Sequence, residues 1–309
     1  MQLPHSPTLV VIAGPTASGK TALGVWLASL FKTEILSADS RQCFRELNIG
    51  VARPSIEELS QIKHHFIASH SIFQPVNAGI YSAYGLKILK QLFRGHRVVI
   101  AVGGTGLYIK ALTEGIDTMP PISAEIRQDI IGEYASQGLP WLQSAVARED
   151  PVFWRQAERS NPQRLMRALE FIRSHGTSIV NFHSHQKQSR SFNVINIALD
   201  LPRDLLYDRI NQRVDIMIRQ GLEAEVRGLY ALRHLNALQT VGYKEWFPYF
   251  ENAADLIQVT ENIKRNTRHY AKRQVTWFKK QEAFQWFSPS DKENILSFIK
   301  STLDGPDSV

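Results

Sequence analysis

Cysteine is almost missing from this chain, and long apolar runs are missing altogether. Cys43 is the single cysteine among 309 residues, so no internal disulfide and no zinc site built from several cysteines can form. No apolar run reaches the roughly 18 residues that a membrane span needs. The N-terminus lacks the basic start and apolar core of a signal peptide. We therefore expect a cytoplasmic protein without a membrane partner.

Positive charge is present in excess and is unevenly distributed. The net charge is +7, and the segment 261–280 holds seven Lys or Arg residues against one Glu. Tyr270, Trp277 and Phe278 interleave with these charges. Such a segment is either a solvated basic helix or a surface for a polyanion such as RNA.

Glycine marks the strongest motif of the chain. The segment 14–21 reads GPTASGKT and matches the phosphate-binding pattern G-x-x-x-x-G-K-[ST]. Its residues are Gly14, Pro15, Thr16, Ala17, Ser18, Gly19, Lys20 and Thr21. A buried-strand pattern at 8–13 precedes the motif and a helical pattern at 21–31 follows it. We expect backbone amides to hold phosphate oxygens, Lys20 to reach the terminal phosphates and Thr21 to bind Mg²⁺. A glycine-rich turn without a ligand is the alternative.

Strand and helix patterns alternate along most of the chain. Further strands are predicted at 34–38, 97–102 and 194–199, with helices at 82–93, 107–112 and 203–220. This alternation predicts an α/β fold, a P-loop NTPase-like parallel sheet flanked by helices. Residues 120–192 have helical patterns and no convincing strand, which predicts an all-helical insertion domain between core segments 1–119 and 193–309.

Three candidate groups follow predicted strands, where parallel sheets bind ligands. Asp39, in SADSRQ, could serve as a general base or touch Mg²⁺ through water, or it could lie in a turn and merely cap a neighbouring helix. Thr105, in GGTG, brings a hydroxyl towards the phosphate loop. Arg209 and Arg213 share a helix face, so one of them could clamp phosphates; a solvated arginine face is the alternative.

These motifs occur together in the order of one known family. GPTASGKT, SADSRQ, GGTGLY, NPQRLMRALE, TVGYKEW and RHYAKRQVTWFKK, spread over about residues 8–280, closely resemble the tRNA dimethylallyltransferases, also called tRNA isopentenyltransferases. The resemblance implies transfer of the dimethylallyl group of dimethylallyl diphosphate to N6 of adenosine 37, in tRNAs that read codons beginning with U. It also implies that diphosphate is released and that Mg²⁺ assists this release. The phosphate loop has the pattern of an ATP-binding motif in other proteins.

The resemblance also implies roles for individual residues. Asp39 is the general base for the N6 amine, while Thr105 and Arg213 hold the diphosphate or position the reacting groups. The target adenine leaves its stack to enter a channel between core and insertion of a monomeric enzyme. The residues implied to contact tRNA are Asp39, Ser40, Arg41, Gln42, Thr105, Arg127, Gln163, Arg164, Leu165, Met166, Arg167, Gln239, Thr240, Val241, Gly242, Tyr243 and Lys244.

The chain departs from the family pattern in two places, and two other functions stay open. Val51-Ala52-Arg53 replaces the expected Thr-Ala-Lys, and Ala68 stands where the family has Asp. Metal binding by His64, His65, His183 or His185 is not expected. A small-molecule or nucleoside kinase would share the fold and the loop, and a nucleotide-gated RNA-binding protein would need only the loop and the basic surface.

Overall fold

The chain forms two compact units. The structure, a computed structural model, describes residues 6–117, 119–183 and 186–305. The larger unit takes the residues up to Gly115 and those from Ser189 onward, and the smaller unit is Ile116–Gln188. The sequence patterns predict the corresponding limits at 120 and 192. That the smaller unit contacts tRNA stays a prediction.

A parallel sheet forms the centre of the larger unit. Among the described residues its strands are β1 (Thr8–Ala13), β2 (Ile35–Ser37), β3 (His64–His65), β4 (Val98–Gly103), β5 (Asn193–Leu199) and β6 (Gln285–Phe287), in the order β3-β2-β4-β1-β5-β6. Every residue of β1 and β4 is buried, as expected for central strands covered on both faces. The predicted α/β fold with a parallel sheet is confirmed.

Helices connect and cover these strands. Their bounds are α1 (Lys20–Leu30), α2 (Ile56–Gln61), α3 (Ala78–Leu92), α4 (Gly106–Thr113), α5 (Ala124–Glu149), α6 (Pro151–Trp154), α7 (Pro162–His175), α8 (Arg203–Arg219), α9 (Leu222–Leu229), α10 (Phe247–Phe250), α11 (Leu256–Lys279) and α12 (Lys292–Leu303). The edge strands β3 and β6 were not predicted, because two or three residues show no periodicity. In the described part of the chain, no helix combines the length and apolar character of a membrane span.

The secondary-structure elements described in the smaller unit are all helices. Its long helix α5 is bent at Gly138, where φ is 71° and ψ is −165°. Asn161 caps α7 by accepting a hydrogen bond from the Arg164 amide at 3.2 Å, which confirms the predicted helix start. Leu165 and Leu169 of α7 are fully buried in the core of this unit.

Candidate active site

The phosphate-binding loop turns sharply between β1 and α1. Gly14 and Gly19 have φ values of 140° and 92°, a region that favours glycine. A Cβ on Gly14 would lie 2.9 Å from the Leu199 carbonyl oxygen, so a side chain has no room there. No side chain caps the N-terminus of α1. Its first amide groups and the positive end of the helix dipole are therefore available to an anion.

Lys20 lies in the centre of a group of charges. Its Nζ donates a hydrogen bond to the Pro15 carbonyl oxygen at 2.5 Å. Burial and, to a lesser degree, the neighbouring positive charge of Arg213 lower the pKa of Lys20 to about 7, while Asp39 acts in the opposite direction. A bound diphosphate would add negative charge beside these two cations.

Of the two candidate arginines Arg209 and Arg213 on α8, Arg213 is the one with a described bond to the loop. Its Nη1 donates to the Thr16 hydroxyl at 3.5 Å, and burial lowers its pKa. Arg209 is exposed. The side chain that lies against the loop is thus the one that the family resemblance singled out.

One carboxylate oxygen of Asp39 accepts hydrogen bonds from the backbone. Its Oδ1 accepts hydrogen bonds from the backbone amides of Arg41 at 2.8 Å and Gln42 at 3.1 Å. Its Oδ2 accepts none from the residues that the structure describes. These bonds hold a turn and not the neighbouring helix that the alternative names, and they leave one oxygen for a proton or a hydrogen bond from a substrate.

Thr105 joins the turn after β4 to the segment after β2. Its Oγ1 accepts a hydrogen bond from the Ser40 amide at 3.1 Å, and its own amide donates to the Ala38 carbonyl oxygen at 3.2 Å. The Asp39 segment and the GGTG turn therefore lie side by side at the carboxyl edge of the sheet, as expected from the strand order.

Close packing explains the glycines of the GGTG turn. A Cβ on Gly103 would lie 2.2 Å from the Ala38 carbonyl oxygen, and one on Gly106 would lie 2.3 Å from the Trp277 ring. Both distances are far below any contact that real Cβ atoms make. These glycines therefore let β2 and α11 approach the turn.

Two side chains of α11 belong to the site and were missed as site residues. The buried Gln274 accepts a hydrogen bond from the Thr16 amide at 2.8 Å and donates one to the Gly104 carbonyl oxygen at 2.9 Å. One turn earlier, the Tyr270 hydroxyl interacts with the Thr105 side chain, and burial raises the pKa of Tyr270. The i, i+4 spacing of Tyr270, Gln274 and Phe278 was the available signal, but the surrounding charges obscured it.

The basic segment on α11 is only partly a free surface. Lys264 pairs with Asp215 at 2.8 Å, and Arg268 Nη1 donates to Asn211 at 2.7 Å. Phe278 and Ala271 are fully buried. Lys272 and Arg273, among others, stay exposed. Helix α11 therefore packs on one face and presents charge on the other, which corrects the interpretation as a fully solvated helix. Its exposed charges remain the part of the segment predicted to meet a polyanion.

Burial corrects two of the implied tRNA contacts. Leu165 and Tyr243 are 0% exposed, so neither residue has surface with which to touch RNA. Leu165 packs in the core of the smaller unit. The Tyr243 hydroxyl donates to Glu225 at 2.5 Å, and Glu225 also accepts hydrogen bonds from the Ile49 and Gly50 amides. Leu165 and Tyr243 therefore anchor their segments to the protein, while other residues of the same segments are exposed.

The other implied tRNA contacts stay predictions, and their residues differ in exposure. Gln163, Arg164, Gln239 and Lys244 are exposed; Ser40, Arg41, Gln42, Met166, Arg167, Thr240 and Val241 are half-buried. The Arg127 side chain is 55% exposed and donates to the buried Glu170 at 3.2 Å. Gly242 is buried, with φ at 95°.

Two of the residues that depart from the family pattern have notable structural features. Arg53 Nη2 donates to the carbonyl oxygens of Phe44, Arg45 and Leu47, so its charge closes a loop. Ala68 has a φ of 46°, in the left-handed region that Asp tolerates better than Ala.

The histidines named above are held by protein atoms wherever they are described. His64 bonds to the Ile62 carbonyl oxygen and His65 to Glu34. His183 also interacts with protein groups, and His185 lies outside the described residues. Among the residues that are described, no cluster of three or more His, Cys, Asp or Glu side chains suits a metal ion.

Thr21 suits a magnesium ion that is shared with a substrate. It lies in the first turn of α1, and its hydroxyl makes no hydrogen bond to the described protein atoms. Mg²⁺ usually keeps several waters and takes one or two protein oxygens together with substrate phosphates. One hydroxyl beside the phosphate loop, with Asp39 nearby, fits such a site.

The fold and this loop define a class, the α/β proteins that bind phosphate groups with a P-loop at the carboxyl edge of a parallel sheet. A family model described as IPP transferase matches residues 42–281. The chain therefore belongs to the IPP transferase family.

Individual relatives resemble the chain over almost its whole length. It is 45% identical to the tRNA dimethylallyltransferase of Christiangramia forsetii over 297 residues, which are 96% of this chain and 98% of that protein. It is 44% identical to that of Cytophaga hutchinsonii, covering 96% and 97%. The crystal structure of the full-length tRNA isopentenylpyrophosphate transferase from Bacillus halodurans is 32% identical with a TM-score of 0.71, covering 96% of this chain and 97% of that one.

Proposed function

We propose that this chain transfers the dimethylallyl group of dimethylallyl diphosphate to N6 of adenosine 37, in tRNAs that read codons beginning with U, and releases diphosphate. One observation carries the proposal. The Lys20 and Arg213 side chains both bond to the phosphate loop beside the uncapped end of α1, and the carboxylate of Asp39 is close enough to Lys20 to act on its pKa. Such a site binds a diphosphate beside a proton acceptor.

The leaving group is held by the phosphate loop. Backbone amides of 14–21, Lys20 and Arg213 bind the diphosphate and stabilise the charge that develops as the bond between C1 and oxygen breaks. Magnesium held through Thr21 would supply further positive charge to the same oxygens. The electron pair of that bond leaves with the diphosphate. An allylic C1 tolerates partial positive charge, so loss of the leaving group can run ahead of attack.

The nucleophile is the N6 amine of adenine. It forms the new bond to C1 and gives up one proton, which Oδ2 of Asp39 accepts while Oδ1 stays bonded to the Arg41 and Gln42 amides. Thr105 lies against Ser40 and positions this side of the site. Ser40, Arg41 and Gln42 follow Asp39 directly in the sequence, and they contact the flipped base and its neighbours.

The rest of the proposal concerns partners and location. The exposed residues Arg164, Gln163, Gln239, Lys244 and Arg127 contact the anticodon stem-loop, and ATP competes with dimethylallyl diphosphate at the phosphate loop. The protein acts as a cytoplasmic monomer. Competition by ATP is measured as an increase in KM for dimethylallyl diphosphate, and the monomer by light scattering.

Mass analysis of the modified RNA tests the central proposal. The protein is incubated with dimethylallyl diphosphate and unmodified tRNA, and the RNA is digested to nucleosides. We expect an isopentenyl mass increase on one adenosine and diphosphate release only when tRNA is present. Folded protein that yields no such adenosine contradicts the proposal, and ADP release from ATP in its place would identify a kinase.

A further inference from the structure

Gln274 is a buried amide with both ends bonded to different loops. It is 6% exposed and lies on α11 between charged neighbours. Its Oε1 accepts from the Thr16 amide at 2.8 Å, and its Nε2 donates to the Gly104 carbonyl oxygen at 2.9 Å. Because a carboxamide is planar and rigid, it holds the two loops at a set separation.

The two loops belong to opposite sides of the proposed reaction. Thr16 lies in the phosphate loop and its hydroxyl meets Arg213, so it is on the diphosphate side. Gly104 immediately precedes Thr105, which is bonded to Ser40 beside Asp39, so it is on the base side. Of the described contacts, the Gln274 amide is the side chain that bonds to both loops.

The surroundings leave this amide little freedom. A Cβ on Gly104 would lie 2.1 Å from Gln274 Nε2, so the turn must have glycine for the amide to fit. A Cβ on Gly106 would likewise lie 2.3 Å from the ring of Trp277, one turn further along α11. The helix thus packs closely on the turn at both Gly104 and Gly106.

We propose that Gln274 is a positioning residue that sets the distance between the diphosphate site and the Thr105–Asp39 side of the active site. The inference rests on the proposed function. Displacement at C1 needs the amine about 3–3.5 Å from the carbon and in line with the bond to the leaving group, and a misplacement of about 1 Å can cost about a hundredfold in rate. Binding of the diphosphate by Lys20 and Arg213 is less sensitive to this distance.

Gln274→Met removes both hydrogen bonds and keeps the side-chain length. We expect kcat to fall by roughly 10- to 100-fold while KM for dimethylallyl diphosphate changes by less than about threefold. Ser82→Ala is the matched control, since it removes a buried side-chain bond of the same unit, to Ala111, away from the site. Its kcat should stay near that of the unmodified chain at a comparable loss of Tm.

Gly104→Ala displaces the same amide from the other side. If both changes act through one bond, the double variant Gly104→Ala with Gln274→Met is no slower than the slower single variant. Multiplied losses, or a Gln274→Met kcat no lower than that of Ser82→Ala, overturn the proposal.

Hydrogen exchange separates this proposal from the proposed function. The Thr16 amide should exchange slowly in the unmodified chain and faster in Gln274→Met, whether or not tRNA is modified. If the chain that keeps Gln274 does not modify tRNA, the proposed function is refuted. If the Thr16 amide exchanges equally fast in that chain and in Gln274→Met, the role of Gln274 is refuted.

Discussion

The phosphate loop and helix α11 are two regions of one site that differ in how their sequence relates to their structure. The loop uses backbone geometry and a single lysine, so its motif alone indicates its chemistry. Helix α11 has a basic composition, yet Gln274 and Tyr270 on its inner face contact the loop and the GGTG turn. The comparison shows that one helix can brace a site and carry surface charge at the same time, because its two faces have different neighbours.

The largest expected effect tests the part of the site that the loop does not explain. Asp39→Ala should lower turnover by about a thousandfold, since general bases contribute about 10²–10⁴-fold. Asp39→Asn is the matched control because its Oδ1 can still accept from the Arg41 and Gln42 amides. Both variants should lose turnover while tRNA affinity in a filter-binding assay changes little. Near-normal turnover of Asp39→Asn would show that capping, and not base catalysis, is the role of Asp39.

The next effect concerns Lys20 and has a definite sign with pH. Burial, together with the positive charge of Arg213, lowers the pKa of Lys20 to about 7 without a ligand. A bound diphosphate favours the charged lysine, so binding takes up a proton. Affinity should therefore decrease as pH rises above 7, by up to about tenfold per pH unit until the pKa of the complex is reached.

Calorimetric titration with diphosphate between pH 7 and pH 9 measures this decrease. Lys20→Arg stays charged throughout and retains only the titration of diphosphate itself, so it is the baseline. Equal slopes for Lys20 and Lys20→Arg would mean that the lysine is already charged before diphosphate binds.

The outer face of α11 should show a smaller effect, on RNA binding alone. Log affinity for RNA decreases as log salt increases. Changing the exposed Lys272 and Arg273 to Ala should make this decrease less steep, by about 0.7–0.9 for each RNA phosphate that these side chains neutralise. Lys264→Ala is the control, since Lys264 pairs with Asp215 and Glu261. Filter binding with tRNA at several salt concentrations measures the slopes. An equal decrease in the control would assign the effect to net charge.

The smallest expected effect is on the inner face one turn from Gln274. Tyr270→Phe removes only the hydroxyl that interacts with Thr105. We expect kcat to fall by about two- to fivefold, the range of one neutral hydrogen bond of about 0.5–1 kcal/mol. Steady-state assays against Tyr249→Phe, a half-buried tyrosine on α10, provide the comparison. An unchanged kcat would limit the bracing role of α11 to Gln274.

Much of the fold follows from local patterns. The β-branched run of β1 and the start of α7 at Asn161 and Pro162 were predicted because each depends on nearby residues. The short strands β3 and β6 were missed, since their pairing depends on neighbours far along the chain. The resemblance places Leu165 and Tyr243 among the tRNA contacts, although both are buried. Motif resemblance does not distinguish a residue that contacts a ligand from one that anchors the ligand-binding segment to the protein.

The sequence by itself determined the phosphate loop, the parallel α/β fold and the family, since glycine spacing, strand periodicity and motif order are local or linear properties. The residue spacing on α8 left Arg209 and Arg213 open, and the tertiary structure brings Arg213, the arginine that the family resemblance names, to the loop. Tertiary structure also decided which face of α11 is buried. It also decided that Gln274 bonds to Thr16 and Gly104. These outcomes depend on hydrogen bonds and close contacts between segments far apart in sequence, and only the packed chain brings those segments together.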